Sequence, residues 1–404
     1  MATVEMSRER ADAAPLAQPV VLICFALVVA HAVYLGTSYV DGLWPDGAGV
    51  PSDFVGLWSA GKLVLAGHPA AVYDWPTLKS MEESAIGHPF DGFYGWRYTP
   101  TYLLVATVLA VLPYATATMA WTLGTFLAYL ATTRAIVSDR IGYLLAAAFP
   151  AVLANAVIGQ NGFLTAALIG GTLLFVERRP ILAGVLLGLL TYKPHLGLLF
   201  PVALIAGSHW RVFITAAAAA VLLAIVSWLA FGTECWHAFF ASIGHSEQAF
   251  LSQGQDWGKL QTAFGLTRTL GGSETLAWAA QAAVALIAAV AITLVWRRVG
   301  EWEIKAAALG CGVLLATPYL YAYDLVVLAV PLAFLFRLGR TDGFLQHELA
   351  GVGLACLLIL IFPFVKFPVG FGAILVVAAL IARRAAAPRT TEAVGPDAIR
   401  LLAS

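Results

Sequence analysis

The chain has 404 residues, of which 60% are hydrophobic and 11% charged, and its formal net charge is zero. Soluble domains carry roughly 25% charged residues, so this composition describes an all-α, polytopic helical membrane protein with little soluble mass. A neutral chain offers no global basic face, so no nucleic-acid partner is expected, and four scattered cysteines supply neither a disulfide framework nor a metal-binding pair.

In chain order, residues 1–19 are polar and mixed in charge and read as a cytoplasmic N-terminal tail. The apolar run 20–40 matches a bilayer crossing in length, lacks a small-residue cleavage site and reads as a retained first helix. A large loop, 41–113, follows, with Asp41, Trp44, Asp46 and Asp53, a helix-like run over 54–66 closed by Gly67, and the stretches "LVLAGHPAAVYDW" and "FYGWRYTP". Inside it, the apolar segment 98–112 is fenced by Pro100 and Pro113 and reads as a re-entrant or juxtamembrane helix rather than a crossing. Further crossings are expected at 114–136, 141–158, 161–177, 180–192, 194–208, 211–232, 275–297, 302–317, 323–338, 346–363 and 367–384, about twelve in all. They form one transmembrane domain over 20–384, with a second large outer loop at 233–274 that holds Cys235, and residues 385–404 read as a cytoplasmic tail.

Charge supports this layout, because Lys and Arg concentrate in cytoplasmic loops. With the N-terminus inside, the cytoplasmic side receives 16 basic residues and the other side 7. Counting 98–112 as a crossing would reverse most of that bias. Both termini are therefore expected in the cytoplasm, the protein in the plasma (inner) membrane, and the chemistry at the periplasmic or exterior face, where the large loops lie.

Four polar stretches fall on that outer face. Ser52 and Asp53 open a helix, where a carboxylate can serve as a cap. "GQNG" at 159–162, with Gln160 and Asn161, joins two apolar helices and reads as a tight turn. "TYKPHLG" at 191–197 joins two segments too short to span roughly 30 Å of hydrocarbon, so Lys193 and His195 lie below the surface, where ionisable groups are functional by default. "TPYLYAYD" at 317–324 carries Tyr319, Tyr321, Tyr323 and Asp324, an aromatic belt or a site wall, with the acid opening a helix.

No HEXXH or HxxxH pair, phosphate-cradling GxxxxGK[ST] or GxSxG elbow occurs, so no metal ligands are expected; a divalent cation stays open through the loop acids. What remains is an ionised aspartate able to take a proton from a hydroxyl, cations Lys193, Arg97 and His195 able to neutralise a phosphate, and aromatic faces including Trp58, Tyr73, Trp75, Trp96 and Tyr98 suited to sugar rings or a lipid tail. That set fits glycosyl transfer from a lipid phosphate. A transporter or flippase of lipid-linked sugars is the alternative, since an interrupted helix pair also suits a transport path.

"SDFVGLWSAGKLVLAGHPAAVYD", "YTP", "GQNGFLTAALIGGTLL", "RRPILAGVLLGLLTYKPHLGLLFP" and "TPYLYAYDLVVLAVP" resemble, in order and spacing, the motifs of glycosyltransferase family 87 over about residues 50–335. The resemblance implies a GT-C type fold with an outer-face site. It further implies a hexose, in the best-known members mannose, taken from a polyprenyl-phosphate donor with inversion and passed to a lipid or glycan acceptor, with membrane lipids as surroundings. It makes Asp53 the base and Lys193 and His195 candidates for donor-phosphate contact; from the residue inventory Arg97 joins them, and Trp58, Tyr98, Gln160, Asn161, Tyr319, Tyr323 and Asp324 are the expected substrate-binding set. Leu57 stands where members often carry Tyr, and the late motif lacks their His.

Overall fold

The computed structural model describes residues 18–43, 52–92, 94–252 and 256–387. Trp44, Asp46, the side chain of Asp41 and most of the two expected tails lie outside these residues. The described chain is helical, with no strand: α1 (Gln18–Leu43), α2 (Asp53–Leu65), α3 (Trp75–Ile86), α4 (Pro100–Ala110), α5 (Tyr114–Val137), α6 (Ile141–Ala147), α7 (Ala151–Ile158), α8 (Gly162–Phe175), α9 (Pro180–Leu189), α10 (Leu199–Ala206), α11 (Trp210–Ser252), α12 (Ala263–Thr269), α13 (Glu274–Arg298), α14 (Trp302–Ala316), α15 (Ala329–Asp342), α16 (Glu348–Ile361) and α17 (Val369–Ala386). Short 3₁₀ segments at Leu190–Tyr192, Pro194–Leu196 and Ala322–Leu328 link several of them.

Among the described residues, five helices are long and apolar enough to cross a membrane, or seven if each of two bent pairs counts as one span. That is fewer than the twelve expected crossings. The expected segments recur as helices near their expected bounds, but α8, α9, α10 and α16 fall short of the ~20 residues that span a bilayer in one piece. α6 and α7 bend by 62° at Pro150, so the expected crossing at 141–158 is a broken span or a re-entrant segment. α4 and α5 meet at 120° across the break before Pro113, the geometry of a broken or re-entrant segment.

Both large loops are more ordered than their sequence suggests. The first contains α2, α3 and α4. The second is largely the continuation of α11 past Gly232, whose φ of 78° breaks the helical geometry, followed by α12. Cys235 is accordingly buried in a helix rather than placed in a loop, its Sγ 3.6 Å from the Pro69 carbonyl.

Small residues set the closest helix contacts. Gly61 brings α2 against α4, where a Cβ would meet the Ala106 carbonyl at 2.1 Å. Gly184 and Gly188 do the same for α9 on α11, with Thr215 and Ala219 side chains 2.5 Å from where each Cβ would be. Large apolar side chains face outward, among them Leu22, Phe25, Leu229, Ile214, Leu286 and Ile287, all more than half exposed. An outer surface of this kind suits lipid and not water.

The two ends of the bundle differ. At one end Arg337 pairs with Glu303 at 3.3 Å, Arg340 with Asp139 at 3.4 Å, and Arg384 grips Glu348 through Nε at 2.7 Å and Nη2 at 2.5 Å. The polar stretches at 52–53, 97–99, 159–162, 191–195 and 319–324 gather at the other.

The α9–α11 seam has no room for a branched side chain. Gly188→Val should destabilise the protein by about 1–3 kcal/mol, the usual cost of overpacking. A lower melting temperature in detergent would register it, and an unchanged one would show that the seam yields.

Candidate functional site

α2 begins at Asp53 behind Ser52, whose backbone is extended (φ −141°, ψ 165°) and whose side chain makes no cap bond. Ser52 thus takes the cap position, and Asp53 is the first residue of the helix itself. It sits in the first turn, where the helix dipole favours a carboxylate, and its Oδ2 accepts from Gln160 Nε2 at 2.5 Å.

Gln160 reaches Asp53 because "GQNG" is wedged between α2 and the 3₁₀ segment Ala322–Leu328. Gly159 has φ +71°, and a Cβ there would lie 2.8 Å from Phe54 Cβ. Gly162 packs so closely that a Cβ would lie 2.6 Å from the Tyr323 carbonyl, while its amide donates to Asn155 Oδ1 at 2.8 Å. Both glycines are thus demanded by close approach, beyond the needs of a turn.

From Gln160 the polar contacts continue into two further stretches. Tyr98 donates from its hydroxyl to Gln160 Oε1 at 3.2 Å and accepts from Asn161 Nδ2 at 2.9 Å. Its ring packs on Trp96 (5.1 Å between centroids) and Tyr102 (4.8 Å). Tyr102 stacks on Tyr192 at 4.6 Å, and the Tyr192 hydroxyl shares a 2.6 Å hydrogen bond with Thr165. Tyr102, Thr165 and Tyr192 belong to this wall and were not singled out from sequence. The adjacency of Tyr192 to Lys193 and the threonine one turn into α8 were the only available signals.

Lys193 and Asp324 do not stand free. Both are almost wholly buried, and Lys193 Nζ donates to Asp324 Oδ1 at 2.6 Å. The other Asp324 oxygen accepts from the Tyr321 backbone amide at 3.3 Å, so Asp324 also starts its 3₁₀ segment, as a cap would. Lys193 further lies 5.5 Å from the centre of the Tyr323 ring, which stacks on Tyr321. A bare charge at this depth is costly, and the pair neutralises both.

Arg97 is different. It is exposed, it lies 6.0 Å from the Trp75 ring, and its charge is felt at Asp53 and at Tyr321. Among the described residues no carboxylate lies within ion-pair distance of it. The site thus holds one exposed cation, Arg97, whose charge acts on the partly buried Asp53 carboxylate.

Two expected residues are engaged elsewhere. Trp58 donates its indole N–H to the Leu112 carbonyl at 3.0 Å and packs edge-on against Tyr114, bracing α2 on the α4–α5 corner. His195 faces Tyr319, 6.5 Å between ring centres. Among the described residues no three His, Cys, Asp or Glu side chains group closely enough to hold a metal ion.

Burial pushes the Asp53 carboxyl above its ordinary value. The Gln160 hydrogen bond, then Lys193 and Arg97, pull it back, and the Asp324 charge adds to the rise. A second buried acid stands nearby: Glu82 on α3 is fully enclosed, its Oε1 3.4 Å from where Gly56, one turn beyond Asp53, would carry a Cβ. Burial raises it to about 7, with the Asp53 charge adding to the rise against the pull of the Tyr94 backbone amide and Lys79.

An all-α bundle with a lipid-facing surface, polar stretches gathered at one end and an aromatic wall beside them defines a helical integral membrane protein. The model of glycosyltransferase family 87 matches residues 96–318, more than half of the chain, and the protein belongs to that family, part of the GT-C superfamily. It is a membrane glycosyltransferase. The matched segment contains Arg97, Gln160 and Lys193 but stops short of Asp53 and Asp324, which join it through the contacts above. No curated protein and no solved structure matches the chain.

Asp324→Asn alone strands the Lys193 charge and should cost about 3–5 kcal/mol, whereas Lys193→Met combined with Asp324→Leu should recover most of that loss. Thermal unfolding of the unaltered, single and double variants decides it, and a double variant no more stable than Asp324→Asn would show that the two charges do not depend on each other. For Glu82, the raised value means that the fold is favoured while the group is protonated. Stability is lost as pH rises from its ordinary 4.5 through about 7. Melting temperatures at pH 5 and pH 8 should therefore differ less in Glu82→Gln than in the unaltered protein, and an equal difference would contradict the buried-acid account.

Proposed function

We propose that the protein transfers a hexose, mannose by resemblance, from a polyprenyl-phosphate donor to a hydroxyl of a lipid or glycan acceptor, with Asp53 as general base and inversion at the anomeric carbon. The observation that carries this reading is the Asp53 carboxylate itself. It is fixed by Gln160 on one oxygen, it has Arg97 as its exposed cationic neighbour, and it is walled by Tyr98 and the Tyr321–Tyr323 stack.

In the step, Asp53 Oδ1 takes the acceptor hydroxyl proton as that oxygen bonds to the anomeric carbon. The bond from that carbon to the phosphate oxygen breaks, its electron pair stays on the departing polyprenyl phosphate, and Arg97 stabilises the growing charge. Gln160 holds Asp53 in place by donating to Oδ2, which also keeps the base ionised. Lys193 and Asp324 are positioning residues: they lock the "TYKPHLG" junction to the 3₁₀ segment that presents Tyr321 and Tyr323. This departs from the sequence expectation that Lys193 grips the phosphate, because its charge is already neutralised.

The distribution of basic side chains supports an outer-face site. Arg134 on α5, Arg179 just before α9, Lys305 on α14 and the arginines of α15 and α17 lie toward the end of the bundle opposite Asp53, as expected if that end is cytoplasmic in the inner membrane. Family membership favours bond-forming transfer over the transport reading, and analysis for a new glycosidic product separates the two.

In a membrane assay with a polyprenyl-phosphate sugar, Asp53→Asn should lower kcat by roughly 10²–10⁴-fold, the range for a general base, with expression intact. Full activity in that variant would remove the assignment. An acid limb in the pH–rate profile should lie above the ordinary aspartate range, and Gln160→Ala, which withdraws the bond favouring the charged form, should move it to higher pH. An unmoved limb would mean that another group titrates.

A further inference from the structure

α9 and α11 run side by side in the same direction, Gly184 opposite Thr215 and Gly188 opposite Ala219. α9 leads toward Lys193, so the first turns of both helices lie at the end of the bundle remote from Asp53. There the two helices border an open groove of about 860 Å³. Arg179 and Arg211 stand at its rim, and Ile181, Leu182 and Ile214 make its walls.

The walls belong to the outer surface: Ile181 is 68% exposed and Ile214 63%. Both arginines are exposed as well. Elsewhere at this end Arg337, Arg340 and Arg384 each hold a carboxylate. Among the described residues neither Arg179 nor Arg211 does; Arg179 has only the Phe175 ring, at 5.8 Å. Two guanidinium groups facing one apolar groove at the edge of a bilayer present planar donor forks suited to a phosphate, with a hydrophobic channel leading away from it. The groove is too large for an inorganic ion alone and too apolar to be filled by water.

We propose that this groove binds one anionic phospholipid of the surrounding membrane, its phosphate between Arg179 and Arg211 and its acyl chains along Ile181, Leu182 and Ile214. The charge match selects an acidic headgroup over a zwitterionic one, since basic pockets between membrane helices recognise lipid phosphates in this way. The site is separate from the catalytic centre and does not depend on the identity of the donor. A lipid seated there would brace the seam between α9 and α11, the former being the helix that carries Lys193 to its place.

Native mass spectrometry of the full chain in detergent, incubated with equimolar phosphatidylglycerol and phosphatidylcholine, tests the proposal. The unaltered protein should retain one phosphatidylglycerol in preference to phosphatidylcholine. Arg179→Gln combined with Arg211→Gln should cut that retention by about tenfold or more, as expected for two basic residues at a lipid headgroup. Arg297→Gln combined with Arg298→Gln, at the end of α13, should leave it unchanged. Equal retention of the two lipids by the unaltered protein would overturn the proposal without any variant. So would undiminished retention in the Arg179 and Arg211 variant, an equal loss in the α13 control, or displacement of the bound lipid by polyprenyl phosphate at lower concentration than by phosphatidylglycerol.

Discussion

A buried charge inside a membrane bundle has to be answered by another, and the Lys193–Asp324 pair is where this protein meets that constraint. The pair joins a break between two short helices to the 3₁₀ segment that opens α15. It also decides how the ionisable groups of the site divide. One cation and one carboxylate neutralise each other in the interior, which leaves Arg97, exposed and without an ion-pair partner among the described residues, as the cation that the proposed donor phosphate would meet.

Close backbone approach does the rest. Gly159 and Gly162 let a four-residue turn fit between α2 and the Tyr321–Tyr323 stack, and only from there can the Gln160 amide reach Asp53. Tyr98 then ties the same turn to the segment before α4. Four stretches far apart in the chain meet through three side chains, and each is rigid for a physical reason: a left-handed glycine, a stacked ring or a paired charge. Such support is what a positioned base requires, since a catalytic group held loosely loses much of its effect.

Much of this was legible in advance. Apolar runs predict the helices because lipid imposes a simple rule on composition, and the polar stretches stand out because polarity is costly there. The family is legible for the same reason. Helix length was less so: α8, α9, α10 and α16 end where glycine, proline and 3₁₀ turns interrupt them, and hydropathy alone does not reveal that neighbouring segments pack as half-spans. The order inside the 41–113 and 233–274 loops was hidden because α2 packs on α3 and α4, and α12 packs on α13, rather than in lipid. At the candidate site, residue type singled out Asp53, Gln160 and Lys193, which the fold brings to one end of the bundle. It could not tell that Lys193 already has a partner, that Trp58 braces a corner, or that Glu82, unremarkable in "KSMEES", is sealed against Gly56 on the helix that Asp53 begins.

The central claim is the division of labour between the two cations. A structure of the protein with a phosphonate analogue of a polyprenyl-phosphate sugar bound would measure it directly, through the distances from the phosphorus to Arg97 and to Lys193. The account predicts phosphonate oxygens within hydrogen-bond reach of the Arg97 guanidinium, the Lys193–Asp324 pair intact, and the Asp53 carboxylate facing the anomeric carbon from the side opposite the phosphonate. A phosphonate seated on Lys193, with Asp324 released, would contradict it.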